Sequence, residues 1–272
     1  MSMGSSPANA KRKISFDFWG VVTAVTVPSD HDIEHLAYYF GDYRTDNRQS
    51  EDVSVALTTR DGDAYMTAPA EDRCVTVFVE DVIVASLKGE QTVTTPTPVP
   101  PFGLRPLASR FVTVHAAAVA HPVVADSAVL IHGPSTVGKS SLAFELIRRG
   151  WMFLSDDTSP IDRENRVHPF TRPVGIRERA AASSGVLLDS FTNARHHETP
   201  WGRTVSVHPR ELGWSIAPPS RVRWLVSLSH GVKFETEADS GGVLRVALDI
   251  DRDKGRAADA IEAFCSAGRS GC

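Results

Sequence analysis

The chain of 272 residues has no apolar run approaching the ~18 residues that a membrane-spanning helix needs, so no membrane is expected as a partner. Residues Met1 to Lys13 are small and polar, then basic, and they lack the apolar stretch of a secretion signal. Cysteine is scarce. Cys74, Cys265 and Cys272 are odd in number, far apart and without metal-ligand spacing, which points to reduced thiols and a cytoplasmic setting. Excess charge is small, −4 overall, and negative, so bulk electrostatics does not favour nucleic acid. Also missing are an internal repeat, the Asn-Lys-x-Asp base-reading motif of GTPases and the Leu-Ser-Gly-Gly signature of transporter ATPases. What is left is ordinary globular composition, 42% hydrophobic and 23% charged, which excludes a disordered, collagenous or coiled-coil chain.

Residues 1–13 read as a flexible tail. From Ile14 to Val27, β-branched and aromatic residues predict strand, broken at Gly20. Ser29 is placed to cap a helix, with Asp32 three residues on and Ile33, Leu36, Ala37 and Phe40 at helical spacing. Alternation returns at Val53, Val55 and Leu57. Two further strand-like runs, Cys74–Val79 and Val82–Leu87, flank a turn at Glu80-Asp81. Residues 14–91 therefore read as a small N-terminal α+β lobe with no chemistry-bearing motif. Pro96, Pro98, Pro100 and Pro101 make 92–103 a Pro-rich linker. A second region spans 104–250, and 251–272 reads as a C-terminal tail with a short helix at Arg256–Phe264.

The informative stretch begins with the apolar run Ala128-Val129-Leu130-Ile131-His132. It feeds directly into Gly133, Pro134, Ser135, Thr136, Val137, Gly138, Lys139, Ser140 and Ser141, which contains G-x-x-x-x-G-K-S. A helical pattern follows, with Leu142, Ala143, Leu146 and Ile147 on one face, Arg148 and Arg149 in the last turn, and Gly150 at the C-terminal cap position. Strand, glycine loop and helix in this order form the phosphate-binding loop of nucleotide enzymes. Its backbone N–H groups and the helix N-terminus make a concave anion site. Lys139 would reach the β- and γ-phosphates of ATP, and the Ser140 hydroxyl would ligate Mg²⁺.

The next apolar run, Trp151 to Ser155, closes on Asp156-Asp157, the first of them 17 positions beyond Lys139. In parallel α/β sheets such strand ends face the ligand crevice. One carboxylate can hold Mg²⁺ and the other can accept the proton of an attacking hydroxyl. Two adjacent carboxylates repel, and a cation relieves that repulsion.

With these residues in place, the chain resembles the catalytic domain of HPr kinase/phosphorylase and its divergent relatives, which include kinases found with lasso and other ribosomally made peptides. The resemblance covers about 104–180 and is weaker to about 230. It rests on His115-Ala116-Ala117, the loop Gly133 to Ser141, the helix end Arg148-Arg149-Gly150, Leu154-Ser155-Asp156-Asp157, and Pro169-Phe170-Thr171-Arg172-Pro173. It implies an α/β fold: a P-loop kinase lobe around a central sheet at 104–250, beside the smaller N-terminal α+β lobe. It also implies phosphoryl transfer from ATP to a hydroxyl, with Asp156 as general base, Asp157 and Ser140 on Mg²⁺, Lys139 on the phosphates, His115 beside them, and a homo-oligomer. HPr kinases proper usually carry Gly at the position of Thr136 and an acidic residue at that of Ser141, so the divergent kinases are the closer match.

Arg172 and Arg177 are candidates for an acidic or phosphorylated group, because a guanidinium forks onto such oxygens. His196-His197 has no partner at metal spacing and reads as a loop. Trp201, Trp214 and Trp224 read as core or interface. The expected function is an ATP- and Mg²⁺-dependent kinase whose acceptor is a serine of a peptide or protein. The alternatives are a kinase of small-molecule hydroxyls and a nucleotide-gated binding module without transferase activity.

Overall fold

The structure is a computed structural model that describes residues 12–27, 29–46, 51–60, 63–67, 82–87, 90–93, 102, 105–178, 190–191, 193–199 and 202–267. The fold is mixed α/β and dominated by sheet. The chain divides into two compact units, Met1–Arg110 and Phe111–Cys272. The predicted strand Cys74–Val79 and most of the Pro-rich stretch lie outside the described residues.

In the first unit, β1 (Arg12–Asp17) and β2 (Val22–Val27) form a hairpin. The turn closes through Trp19 and Gly20, both at positive φ (53° and 82°), as the tight turns that match strand twist require. Arg12 and Lys13, read as tail, are the first residues of this ladder and pair with Val27 and Thr26. Helix α1 (Asp30–Phe40) starts at the predicted cap. The Ser29 side chain accepts from the Asp32 N–H, and the Asp32 carboxylate accepts from the Ser29 N–H. The helix buries Leu36, Tyr39 and Phe40, and Phe40 meets Phe16 and Phe18 edge to face. The sheet is completed by β3 (Val53–Arg60), parallel to β2, with β4 (Asp63–Thr67), β5 (Val82–Leu87) and β6 (Glu90–Val93), in the order β1-β2-β3-β4-β6-β5. Thr92 and Val93 thus belong to a strand, not to the linker. A single helical turn, α2 (Arg105–Ala108), precedes the second unit.

The second unit is built on a nine-stranded sheet, whose outer strands include β7 (Phe111–Val114), β11 (Ser159–Asp162), β12 (Arg166–Val167) and β17 (Glu235–Ala238). Its centre is β9 (Ala128–His132), flanked by antiparallel β8 (Ala116–Ala120) and by parallel β16 (Ser220–His230), which in turn pairs in parallel with β18 (Val243–Leu248). Beyond β8 lies β10 (Met152–Ser155), antiparallel to it. One face of these strands, including Val129, Ile131, Val226, Leu228 and Val246, is covered by α3 (Lys139–Arg148) and α4 (Ile250–Ala267). The other face carries Ala116, Ala118, Leu130 and Leu154 into a second cluster. Both faces of β9 are therefore buried, which is why its sequence is apolar at every position up to His132. A smaller sheet, β13 (Val174–Arg177), β15 (Gly202–Val207) and β14 (Arg195–Thr199), packs Val174, Ile176, Val205 and Val207 against the same core as the helices.

Two expectations are corrected here. The segment from Asp251 is no tail: α4 is an 18-residue helix whose Ala257, Ala258, Ile261 and Cys265 are fully buried. Its polar first turns and Gly255 mask an apolar stripe made largely of alanine. His196 and His197 lie on β14 rather than on a loop, and the His196 ring pairs with Arg203 at 2.9 Å.

Candidate functional site

Three strand ends meet at one edge of the sheet. β9 and β10 run in the same direction with β8 reversed between them, so the start of β8 lies beside the ends of both: Ala116 is paired with His132, and Ala118 with Ser155. His115, the loop after His132, and Asp156-Asp157 are thereby brought together from stretches distant in sequence. A parallel sheet, as the sequence predicts, would bring the acidic pair to this same edge; here an antiparallel strand stands between.

The loop Gly133 to Gly138 joins the end of β9 to the start of α3 and holds three residues at positive φ. Gly133 and Gly138 have φ of 152° and 105°, and Thr136 stands at 70°. Neither glycine has room for a side chain. A Cβ on Gly133 would lie 2.6 Å from the Leu228 carbonyl oxygen, and one on Gly138 would lie 2.3 Å from Cγ1 of Ile250. Gly138 is the N-cap of α3 and offers no side-chain bond to the first turn. The N–H groups of that turn thus keep their capacity for an anion. The start of α4 differs: Asp249 accepts from the Asp251 N–H, and Asp253 from the Asp249 N–H. The buried Lys139 donates from Nζ to the carbonyls of Gly133 and Pro134 at 3.0 and 3.1 Å, bracing the loop. Burial lowers its pKa, against the pull of Asp157 and Asp156, and the charge of Arg177 lowers it further.

The two aspartates have different surroundings. Asp156 is buried, and its Oδ1 accepts from the Ser140 hydroxyl at 2.7 Å. Burial, then the charge of Asp157, pushes its pKa up to about 6. Asp157 has a side chain 53% exposed and sits between Arg172 and His115: Arg172 Nη2 donates to its Oδ2 at 3.0 Å, and His115 Nδ1 lies 3.1 Å from its Oδ1. Burial opposes its ionisation, but the hydrogen bond from His115 and the charges of Arg172 and His115 hold its pKa well below the usual carboxylate range. The same bond raises His115, outweighing its partial burial. Arg172 is itself buried, with its guanidinium over the Phe170 ring.

The turn that presents the pair is unusual. The Thr158 N–H bonds to the Asp156 carbonyl at 2.7 Å, a γ-turn with Asp157 at its centre and φ of 64°. A non-glycine residue held there is strained by roughly 1–3 kcal/mol, as at many functional sites.

His115, Lys139, Ser140, Asp156, Asp157 and Arg172 thus form one contiguous site. Arg177, on β13, is near enough for its charge to be felt at Lys139. Leu228 and Ile250, which close on the two loop glycines, and His132, whose pKa is lowered by burial and then by Lys139, stand here without a motif in the sequence to mark them. Only the glycines hint at the first two, since a glycine marks a close approach without naming what approaches. Three acids or histidines grouped for a metal do not occur among the described residues. A cation here would rest on Ser140 and a carboxylate together with phosphate oxygens, as Mg²⁺ does in phosphoryl-transfer sites. A hydroxyl and a buried carboxylate 2.7 Å apart suit that hard-oxygen donor set.

A search of curated proteins finds no match. Among solved structures, the HPr(Ser) kinase/phosphatase from Coxiella burnetii is 22% identical, with a TM-score of 0.32, over 58% of this chain and 96% of that one. Residues 107–176 match the family model of the HPr Serine kinase C-terminal domain. The stretch that supplies the glycine loop Gly133–Ser141, both aspartates, His115 and Arg172 is thus similar in sequence to the C-terminal domain of the HPr serine kinases.

Proposed function

We propose that this protein is an ATP- and Mg²⁺-dependent kinase that transfers the γ-phosphoryl group to a hydroxyl, with a serine of a peptide or protein as acceptor. The observation that carries the reading is the unequal pair of aspartates facing an uncapped phosphate loop. Asp156 is tied to the loop serine and withdrawn from solvent, which suits the cation side. Asp157 is open to solvent and oriented by His115 and Arg172, which suits the acceptor side. This geometry favours exchanging the two roles that the resemblance implies.

In the proposed reaction, Lys139 and the N–H groups of the loop would bind the phosphates, and Ser140 with Asp156 would hold Mg²⁺. Bound there, Mg²⁺ would neutralise charge on the β- and γ-phosphate oxygens. Asp157 orients the acceptor hydroxyl and takes its proton as the hydroxyl oxygen bonds to the γ-phosphorus and the bond to the β–γ bridging oxygen breaks, leaving ADP. A carboxylate of low pKa suffices, since the transition state is loose and demands little activation of the attacking hydroxyl. Arg172 adds positive potential beside the transferring group, and His115, whose pKa is raised by its hydrogen bond to Asp157, adds to it in its protonated form. The finer placement, among kinases that accompany lasso and other ribosomally made peptides, rests on Thr136 and Ser141, and a homo-oligomer belongs to the same proposal.

Calorimetric titration with ATP, with and without Mg²⁺, tests the division of labour. Asp157→Asn retains ATP·Mg²⁺ affinity and loses transfer by roughly 10²-fold or more, the usual worth of a general base. Asp156→Asn loses the Mg²⁺-dependent part of the affinity. The reverse pattern restores the order implied by the resemblance. Lys139→Met binding ATP as tightly as the unaltered protein would overturn the phosphate-loop reading itself.

A further inference from the structure

The loop is held from outside by an element that follows it by more than a hundred residues. Ile250, the first residue of α4, is partly buried against the core, and three of its atoms occupy the space in front of the Gly138 α-carbon. An added Cβ would lie 2.3, 2.7 and 2.8 Å from its Cγ1, Cδ1 and Cβ. Gly138 sets the start of α3, and its φ of 105° directs the following N–H groups. The position of Ile250 is fixed from two sides. Asp249 and Asp253 lock the first turn of α4 by bonding to its own N–H groups. Further along, Arg149 from the end of α3 bonds to the Gly255 carbonyl, Asp259 and Glu262. Start therefore lies beside start, and the end of α3 lies beside the middle of α4, so the helices run side by side in one direction and deliver their N-termini to the same place. On the other side, the backbone of β16 at Leu228 closes on Gly133.

We infer that Ile250 is a positioning residue for the phosphate loop: its side chain buttresses Gly138 and so holds the loop N–H groups in the conformation that receives phosphate. The inference rests on the reading of Gly133–Ser141 as a phosphate loop, and its test has a readout that does not need ATP. Loosening the buttress lets Gly138 explore its wide backbone space, and the loop must then be ordered by the ligand at a cost in affinity.

Hydrogen exchange on the full-length, nucleotide-free protein reports on the loop directly, and calorimetry reports ATP affinity. Ile250→Ala accelerates exchange over residues 133–141 and weakens ATP binding by roughly tenfold or more, the scale expected when a binding group is misplaced. Ile250→Val, which keeps the branched methyl at Cβ, retains both properties within about twofold. Ile261→Val, fully buried on the same helix, lowers the melting temperature and leaves loop exchange unaltered. Adding Ile250→Ala to Gly138→Ala recovers part of the binding that Gly138→Ala loses, because the two closest of the three contacts, to Cγ1 and Cδ1, are removed. If Ile250→Ala lowers only the melting temperature, with loop exchange and ATP affinity unchanged, Ile250 is a core residue and the inference fails. Accelerated loop exchange in a protein that binds no ATP in any form would sustain the positioning role and overturn the kinase reading instead.

Discussion

Asp156 and Asp157 adjoin in sequence but differ in burial, partners and titration, and their charges bear on stability with opposite sign. The pKa of Asp156 rises from 3.8 to about 6, with burial as the first cause and Asp157 the second. Between those values the folded protein binds more protons than the unfolded chain, so this residue's contribution to stability falls as pH rises through the window and stays low above it. Asp156→Asn should therefore raise stability at pH 7.5, by an upper bound of roughly 3 kcal/mol, and the difference should fade below about pH 4. Thermal unfolding across pH checks this. Because Mg²⁺ requires the ionised form, metal affinity of the unaltered protein should fall as pH drops through about 6. The pKa of Asp157 is lowered, so its favourable pairing with His115 and Arg172 is present at neutral pH and is lost on acidification. Thr136 offers a separate test. A β-branched residue at φ of 70° is strained, and Thr136→Gly should gain up to about 1 kcal/mol in chemical denaturation while retaining ATP binding.

Among the elements, those specified by local chemistry were legible in the sequence. The Ser29–Asp32 pair announces α1, and Ser29→Ala should cost the first unit about 1 kcal/mol in denaturant titration, the usual worth of a cap. The strand–loop–helix from Ala128 to Arg148 was equally clear, because apolar run, glycines and helical stripe all agree. What was hidden is non-local. The reversed strand between β9 and β10 leaves no mark in either of them, since a strand buried on both faces reads alike in either direction. The stripe of α4 is Ala257, Ala258, Ile261 and Cys265, too small and too interrupted by charge to stand out, yet burial pushes the Cys265 thiol up to about 12. The identities of His115, Lys139, Ser140, Asp156, Asp157 and Arg172 could be picked from sequence. That Ser140 meets Asp156, and that Arg172 and His115 meet Asp157, depends on a sheet edge that only the fold provides.

Over the whole molecule, the loop Gly133–Gly138 and the residues His115, Lys139, Ser140, Asp156, Asp157 and Arg172 belong to the unit Phe111–Cys272, and the other unit has its own sheet and aromatic core. A ligand that binds one unit should stabilise that unit by mass action. ATP with Mg²⁺ at about a hundredfold over its dissociation constant should raise the stability reported by Trp151, Trp214 and Trp224 by about 2.7 kcal/mol, and leave the environment reported by Trp19 nearly unmoved. Chelating the Mg²⁺ should remove most of that gain.

The most direct test of the kinase reading is mass spectrometry of serine-containing peptides and small hydroxylated metabolites incubated with the protein, ATP and Mg²⁺, with Asp157→Asn in parallel. A phosphoryl adduct on a serine peptide with the unaltered protein and none with the variant, although both bind ATP, is the result expected of a kinase. Tight ATP binding with no adduct on any acceptor would contradict it and leave a nucleotide-binding module in its place.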